Sequence, residues 1–389
     1  MRLTATQKIL LATLLPTPPN QRFVRAWLPA QNHQLDWAKI VSKALSFQTS
    51  SLLRCHLAAA DLLHLLPRPE RDLLEKVNHA EAAKHLIYVN EVQNLIAALR
   101  TENIRALPLK GAALMIGAYY PTAGLRSAID IDLLIEPEKI QQSFALAHQA
   151  GFTEVKIKPS RAPLPLPHEL RHLPLLRGPS GVLLELHFRA FHDLRRQQDF
   201  GFEQMIGRAV THNNLLLPAP EDLCLHLIQH AIVDLTSAHA ILRTFADLYF
   251  VLQREPQSRE KLLARAAEFE LGGAVRLALE TLQVIEAGSY EHSTHQVSLL
   301  LETAVAESPG RIIRASRLFE YLDLRQQPVA RLRHLFSLLS AAKNKNSSQP
   351  KSSSQLNQAF GLLRKFEWQG LTIRDVRRVL ALRKITLRK

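Results

Sequence analysis

Two aspartates separated by one residue carry the most chemistry in this sequence. Asp130 and Asp132 lie in the otherwise apolar run 129–135. Side chains alternate along a β-strand, so both carboxylates would point the same way, with Cα atoms about 6.6 Å apart. Neighbouring carboxylates repel each other, and a divalent cation is their natural compensation. The pattern predicts a metal site suited to two-metal phosphoryl chemistry, in which the ions lie about 3.5–4 Å apart. The other face of the strand is predicted to enter the core through Ile129, Ile131 and Leu133.

A lysine–glycine pair precedes the aspartates at a predicted strand–helix junction. Residues 104–109 form the predicted strand, and Gly111 turns the chain into a short helix. A glycine there lets backbone N–H groups approach a phosphate, aided by the field of the helix N-terminus. Lys110 would add a point charge for the same phosphates. Arg126, four residues before Asp130, would either contact phosphate or pair with a site carboxylate.

A third acid follows in a later predicted strand. In residues 182–188, Glu185 and His187 share one face while Leu184, Leu186 and Phe188 face the other way. Glu185 could ligate a second metal or take a proton from an attacking hydroxyl group, with His187 as an accessory residue. The alternative is an exposed strand face that happens to carry Glu and His.

Two further pairs have helical i, i+4 spacing. His226 and His230 could ligate a metal, but their helix is leucine-rich and no third ligand lies nearby in the sequence. We therefore predict packed or hydrogen-bonded histidines. For Arg243 and Asp247 we predict a salt bridge.

The composition is that of a helix-rich chain with enough apolar material for sizeable cores. Of 389 residues, 47% are hydrophobic and 6% aromatic. Two cysteines rule out a disulfide framework and a Cys-based zinc site. No apolar run is long enough to span a bilayer, and the apolar N-terminus lacks a small-residue cleavage site. A cytoplasmic location is expected.

The sequence predicts five regions. A helical region covers 1–100, broken at 16–19 and at Pro29, and it ends in a long helix that opens at Pro69. A strand-bearing core covers 101–215. A helical domain follows at 216–343, then a Ser/Lys/Gln-rich linker at 344–355 and a basic helical tail at 356–389.

The positive charge is concentrated at the C-terminal end. Residues 341–389 hold twelve Lys and Arg against two acids, a net +10 of the chain's +14. The tail could contact nucleic acid or an anionic membrane. Because it lacks interleaved aromatic residues, a solvated helical face is the favoured interpretation. The charge therefore does not identify the aspartate site as part of a nucleic-acid enzyme.

Together these motifs resemble the DNA-polymerase-β-like nucleotidyltransferase superfamily, and within it a bacterial uncharacterised nucleotidyltransferase family. The resemblance is carried by the Lys110–Gly111 turn, Arg126, Asp130-Ile131-Asp132 and Glu185-Leu186-His187, and it covers about 100–250 well. It implies an α+β fold with a mixed β-sheet core and extensive flanking helical regions. The chain departs from the superfamily by having Lys-Gly where Gly-Ser is usual, and by a longer spacer before Asp130.

The function implied is Mg²⁺-dependent (or Mn²⁺-dependent) transfer of a nucleotidyl group from a nucleoside triphosphate, with ATP expected, to an unknown acceptor. Asp130, Asp132 and Glu185 would be catalytic and would hold the metals. Lys110, Gly111 and Arg126 would bind the nucleotide. The proline-rich segment 159–179 is the expected acceptor entrance, through Arg161, His168, Arg171 and His172. Two alternatives remain: a D-x-D glycosyltransferase, or an inactive binding module of the same fold.

Overall fold

The computed structural model describes residues 3–155, 171–191, 201–233, 238–290 and 293–305. The linker 344–355, the tail 356–389 and the last part of the predicted helical domain, 306–343, lie outside the described residues. So do Arg161 and His168. The described part is a mixed α+β structure, as the sequence predicted.

Helices surround one sheet on both sides. In chain order they are α1 (Ala5–Ala12), α2 (Pro18–Gln31), α3 (Trp37–Ser46), α4 (Ser50–Ala59), α5 (Arg68–Thr101), α6 (Lys110–Ile116), α7 (Ile140–Gln149), α8 (Phe202–Gly207), α9 (Pro220–Ile228), α10 (Ala238–Arg254), α11 (Ser258–Glu268), α12 (Gly272–Ala287) and α13 (His295–Ala304). A π-helical turn, Gln229–Val233, follows α9.

Local sequence explains several helix boundaries. Thr4 caps α1 through a reciprocal capping box with Gln7. Thr17 caps α2 by accepting from the Asn20 N–H, with prolines at the first helical positions. The long helix α5 matches the helix predicted to open at Pro69. Pro29, however, lies inside α2. The predicted break there is wrong, since the helix takes up the proline near its C-terminal end.

The strands are β1 (Ala106–Leu109), β2 (Asp130–Ile135), β3 (Thr153–Glu154), β4 (Leu176–Arg177), β5 (Leu183–His187), β6 (Val210–His212) and β7 (Leu215–Leu217). Five of them form a mixed sheet in the order β1-β2-β5-β4-β3, and β6 pairs with β7 in a separate hairpin. β2 is antiparallel to β1 and parallel to β5. The two acid-bearing strands are therefore neighbours at the centre of the sheet.

The two faces of the sheet pack into different apolar clusters. Ile131, Leu133 and Leu184 belong to a cluster with residues of α5 and α7. On the opposite face, Leu107 and Leu134 join a larger cluster built from the N-terminal helices and the helices after residue 220. Period-2 alternation places the predicted site residues of β2 and β5 on this second face, beneath α9 and α10.

Apolar residues of β2 and α5 lie outside the core where an element is longer or shorter than its apolar pattern. Ile129, predicted to enter the core, is 55% exposed because β2 begins at Asp130. Leu73 and Ile87 of α5 are also exposed, whereas Leu74, Leu95 and Leu99 are buried. A helix of 34 residues extends beyond the core that it covers.

Candidate functional site

The parallel pairing of β2 with β5 sets two acids side by side. Asp132 lies opposite Glu185 in the register, and Asp130 lies opposite Leu183. Asp132 is 2% exposed, while Asp130 and Glu185 are partly buried. The strand alternation predicted from the sequence thus gathers the three acids on one face of the sheet.

Lys110 compensates the deepest acid. Leu109, the last residue of β1, pairs in register with Asp132, so the next residue can reach the same carboxylate. The Lys110 Nζ lies 2.7 Å from Asp132 Oδ1, and Lys110 has a left-handed backbone with φ of 45°. A non-glycine residue in that conformation is sterically strained, and such strain is concentrated at functional sites. The ammonium group is thus held on the face of the sheet that carries the acids.

His187 joins the two opposed acids. Its Nε2 lies 2.8 Å from Asp132 Oδ1 and 3.1 Å from Glu185 Oε2. Burial raises the pKa of Asp132, but the charge of Lys110 and the hydrogen bond from His187 outweigh it and hold that pKa well below its usual range. For Glu185, burial is likewise outweighed by the His187 hydrogen bond, and the pKa is lowered. Both groups are therefore carboxylates at neutral pH.

Asp130 has a different environment from its neighbours. Among the described residues it has no hydrogen-bond or ion-pair partner. Burial and the charge of Asp132 raise the pKa of Asp130, with Lys110 opposing the shift. Asp130 is therefore a partly buried acid to which no cation in the described part of the chain is bonded.

A metal ion fits this group of side chains. Ligand atoms of Asp132, Glu185 and His187 all lie within 4.8 Å of one another. Carboxylate oxygens suit Mg²⁺ and Mn²⁺, whereas an imidazole nitrogen is a ligand more typical of transition metals. The other ring nitrogen of His187, Nδ1, is buried without a hydrogen-bond partner among the described residues. His187, predicted as an accessory residue, thus belongs to the cluster itself, and a role of Asp130 as a ligand stays a prediction.

Arg126 pairs with Asp247, a partner that the sequence spacing did not indicate. Its Nε and Nη2 donate to the two carboxylate oxygens of Asp247 at 2.7 and 3.1 Å, and the Tyr120 hydroxyl donates to Asp247 at 2.6 Å. All three side chains are buried. The Arg126 guanidinium also lies against Gly111, where an added Cβ atom would meet its nitrogens at 3.4 Å. Arg126 therefore braces the turn that carries Lys110.

This arrangement corrects one prediction. The expected i, i+4 salt bridge between Arg243 and Asp247 is not formed, because Arg126 and Tyr120 occupy the Asp247 carboxylate. The i, i+4 spacing of Arg243 and Asp247 was the feature of the sequence that drew attention to α10. A contact between residues 126 and 247 leaves no spacing pattern in the sequence.

Part of the proline-rich segment also reaches the acids. The Arg171 carbonyl accepts from the Phe188 N–H at 2.9 Å, which seats His172 opposite His187. The His172 and His187 ring centroids are 5.1 Å apart, and His172 Nε2 lies 4.0 Å from Glu185 Oε1. Arg171 and His172 are therefore placed beside the site, as predicted.

The two helical histidines lie behind the site and do not join the ligand cluster. His226 Nε2 lies 3.1 Å from the Ala190 carbonyl oxygen, and its ring packs edge-on against Phe191. Burial, followed by the charge of Lys110, lowers the pKa of His226 to about 3. The prediction of a packed, hydrogen-bonded histidine is confirmed for His226. His230 lies in the π-helical turn, a feature that is frequent at functional sites and that regular periodicity does not reveal.

The site combines an acid pair on a mixed sheet, a third acid on the neighbouring parallel strand and a lysine at the preceding turn. This combination is typical of the nucleotidyltransferase class of proteins. The model of one protein family, described as "Uncharacterised nucleotidyltransferase", matches residues 33–285. The chain belongs to that family, as the sequence motifs indicated. Comparison with curated proteins and with solved structures gives no match. No helix in the described part of the chain is long and apolar enough to cross a membrane.

Proposed function

We propose that this protein transfers a nucleotidyl group from a nucleoside triphosphate, with ATP as the expected donor, to an acceptor hydroxyl or phosphate. The observation that carries the proposal is the convergence of Asp132, Glu185 and His187 beside Asp130 and Lys110. Membership of the nucleotidyltransferase family supports the same reaction class. In this reaction an acceptor oxygen attacks the α-phosphorus, the bond to the β-phosphate breaks, and pyrophosphate leaves.

Asp130, Asp132 and Glu185 are the proposed catalytic residues and metal ligands, with His187 beside them. Bound there, Mg²⁺ or Mn²⁺ would stabilise charge on the transferred phosphoryl group, as two-metal enzymes do. The pKa of Glu185 is lowered because the hydrogen bond from His187 outweighs its burial, so the carboxylate is ionised and can accept the proton of an acceptor hydroxyl. Glu185 either takes that proton or completes the metal-ligand set.

Lys110, Gly111 and Arg126 form the proposed nucleotide-binding part. Lys110 is bonded to Asp132, and its ammonium group is the proposed point charge for a phosphate of the donor. Arg126 is buried and bound by Asp247, so we propose that it holds the turn in place. Arg171 and His172 are the proposed acceptor-side residues, because they lie next to Glu185 and His187.

Label transfer tests this function. Purified protein is incubated with each α-labelled nucleoside triphosphate and Mg²⁺ or Mn²⁺, alone and with cell extract. An Asp130→Ala/Asp132→Ala variant should transfer no label, while Asp72→Ala, a change at an exposed acid on α5, should transfer as the wild type does. If no label moves with any triphosphate, or if the double variant labels equally well, the proposed activity is excluded and a binding module becomes the better description.

A further inference from the structure

Among the described residues, Arg243 is a charged side chain near the site that the proposed roles leave unused. It lies on α10, one turn before Asp247, and therefore on the same helix face. Its Nε is buried and has no hydrogen-bond partner among the described residues, and no ion pair with a described residue involves it. The Asp247 carboxylate, its nearest sequence candidate, is occupied by Arg126 and Tyr120.

Such a group is costly to the fold. The Arg243 side chain is partly buried, and removing part of a guanidinium charge from water without a carboxylate partner carries a penalty. Burial, followed by the neighbouring charge of Arg126, lowers the pKa of Arg243 to about 10, so the guanidinium stays charged at neutral pH. The Asp247 carboxylate, which acts electrostatically on both arginines, is hydrogen-bonded to Arg126 and Tyr120, so no described carboxylate is bonded to Arg243. The Arg243 guanidinium is therefore suited to an anion that arrives from outside.

The position of Arg243 indicates which anion. Arg243 interacts electrostatically with Asp130, to which no described cation is bonded, and with Arg126, which lies against the Gly111 turn. Within the described part of the chain, the site therefore holds an acid and a base that are near each other and have no bonded partner. A metal ion chelated by a polyphosphate satisfies both at once, since it brings a cation for Asp130 and phosphate oxygens for Arg243.

We propose that Arg243 binds the phosphate chain of the nucleoside triphosphate, on the Asp130 side of the site. This inference rests on the proposed nucleotidyl transfer and deepens it by naming a donor contact on α10. The planar guanidinium can hold two phosphate oxygens, which Lys110, as a point charge, does not do. The residue is thus a binding residue for the donor, distinct from the acids that would hold metal.

Calorimetric titration of the full chain with MgATP and with magnesium tripolyphosphate tests the assignment. Arg243→Gln should weaken the binding of both by about ten- to a hundredfold, the range expected for losing a hydrogen bond between charged groups. Arg243→Lys should restore part of the loss. Arg276→Gln, which removes an exposed arginine from α12, is the matched control and should bind both as the wild type does.

Thermal unfolding without ligand separates this role from a structural one. Because Arg243 is bonded to no residue that the structure describes, Arg243→Gln should keep the wild-type unfolding midpoint or raise it, whereas a structural arginine would lower it on removal. Magnesium tripolyphosphate should raise the midpoint of the wild type and not that of the variant.

The outcomes distinguish the two proposals. If Arg243→Gln binds MgATP as the wild type does, the proposed role of Arg243 is overturned, whether or not the unfolding midpoint is lowered. If MgATP binding in that case is lost on Asp132→Asn, the proposed nucleotidyl transfer stands without Arg243. If the wild-type protein binds neither MgATP nor magnesium tripolyphosphate, the proposed triphosphate donor is wrong, and this inference fails with it.

Discussion

Two clusters of charged side chains, both partly buried, can be compared within the residues that the structure describes, and they differ in how completely their members pair. In the cluster between α9 and α11, Asp222 accepts from Arg208 at 2.9 Å and from Arg265 at 3.0 Å, while Glu221 and Glu268 each bind one of the same arginines. Each of its acids has an arginine partner. In the site cluster, Lys110 and His187 share Asp132, while Asp130 and Arg243 have no partner among the described residues.

The difference separates structural charge from charge held for a ligand. Ion pairs that close on each other fix helices in place, and their removal exposes a buried charge. An acid and a base left unpaired in the same region destabilise the fold, and a bound ligand that supplies the missing partners offsets the cost. We expect substitutions in the two clusters to have opposite consequences for stability and activity.

The largest effect is expected for Asp132→Asn. The substitution keeps the shape of the side chain and removes the charge that Lys110 and His187 share. If Asp132 holds metal, transition-state stabilisation of several kcal/mol is lost, and label transfer should fall by about 10³- to 10⁴-fold. Circular dichroism should show a folded chain. Activity within about tenfold of the wild type would contradict the assignment of Asp132.

Asp222→Ala should act on stability instead. Asp222 is fully buried, and its loss leaves Arg265, 11% exposed, without its buried carboxylate partner. The free energy of unfolding should fall by about 3–5 kcal/mol, the range for breaking a buried pair from one side. Denaturant titration measures it. The folded fraction should bind MgATP as the wild type does. Weaker binding by that fraction would contradict a purely structural role for the cluster around Asp222.

What the sequence revealed about these clusters was local. The shared face of Asp130 and Asp132, and of Glu185 and His187, follows from period-2 alternation, and the helices follow from apolar periodicity and from capping residues. Failures arose where a contact between distant residues overrides a local rule. Arg243 and Asp247 have the spacing of a salt bridge, yet Arg126 takes the carboxylate. The register that places Asp132 against Glu185, the strained backbone of Lys110 and the π-helical turn have no signal of their own in the sequence.

Low pH should affect the stability of the helical part of the molecule through a buried histidine. His56 is 6% exposed, and its Nδ1 lies against the Thr13 carbonyl oxygen. Burial lowers the pKa of His56 to about 4, with the backbone hydrogen bond opposing the shift. Below about pH 6.5 the unfolded chain binds a proton that the folded chain does not, so this stability is complete above pH 6.5 and lost as the pH falls toward 4.

At about 1.36 kcal/mol per pKa unit, the effect of His56 is roughly 3 kcal/mol across that window. Denaturant titrations at several pH values should show a shallower pH dependence for His56→Gln than for the wild type. His64→Gln, a change at an exposed histidine, is the control. Identical pH profiles for the wild type and His56→Gln would show that His56 does not titrate in this way.

Two glycines near the site allow the finest comparison, because one is required by the fold and the other is not. Gly124 has φ of +83°, and an added Cβ atom would lie 2.5 Å from the Ala82 backbone nitrogen. Gly124→Ala should therefore destabilise the protein by more than about 1–2 kcal/mol, the strain of a left-handed residue alone. At Gly111 an added Cβ atom would meet Arg126 at 3.4 Å, an ordinary contact.

Gly111→Ala should leave the free energy of unfolding unchanged or raise it by up to about 1 kcal/mol, since alanine is the better helix former. If Gly111 is a glycine because a phosphate approaches its backbone, the same variant should bind MgATP more weakly. Denaturant titration and calorimetry on one preparation measure both quantities. Wild-type affinity in a fully stable Gly111→Ala variant would place the triphosphate away from this turn and leave Lys110 as a partner of Asp132 alone.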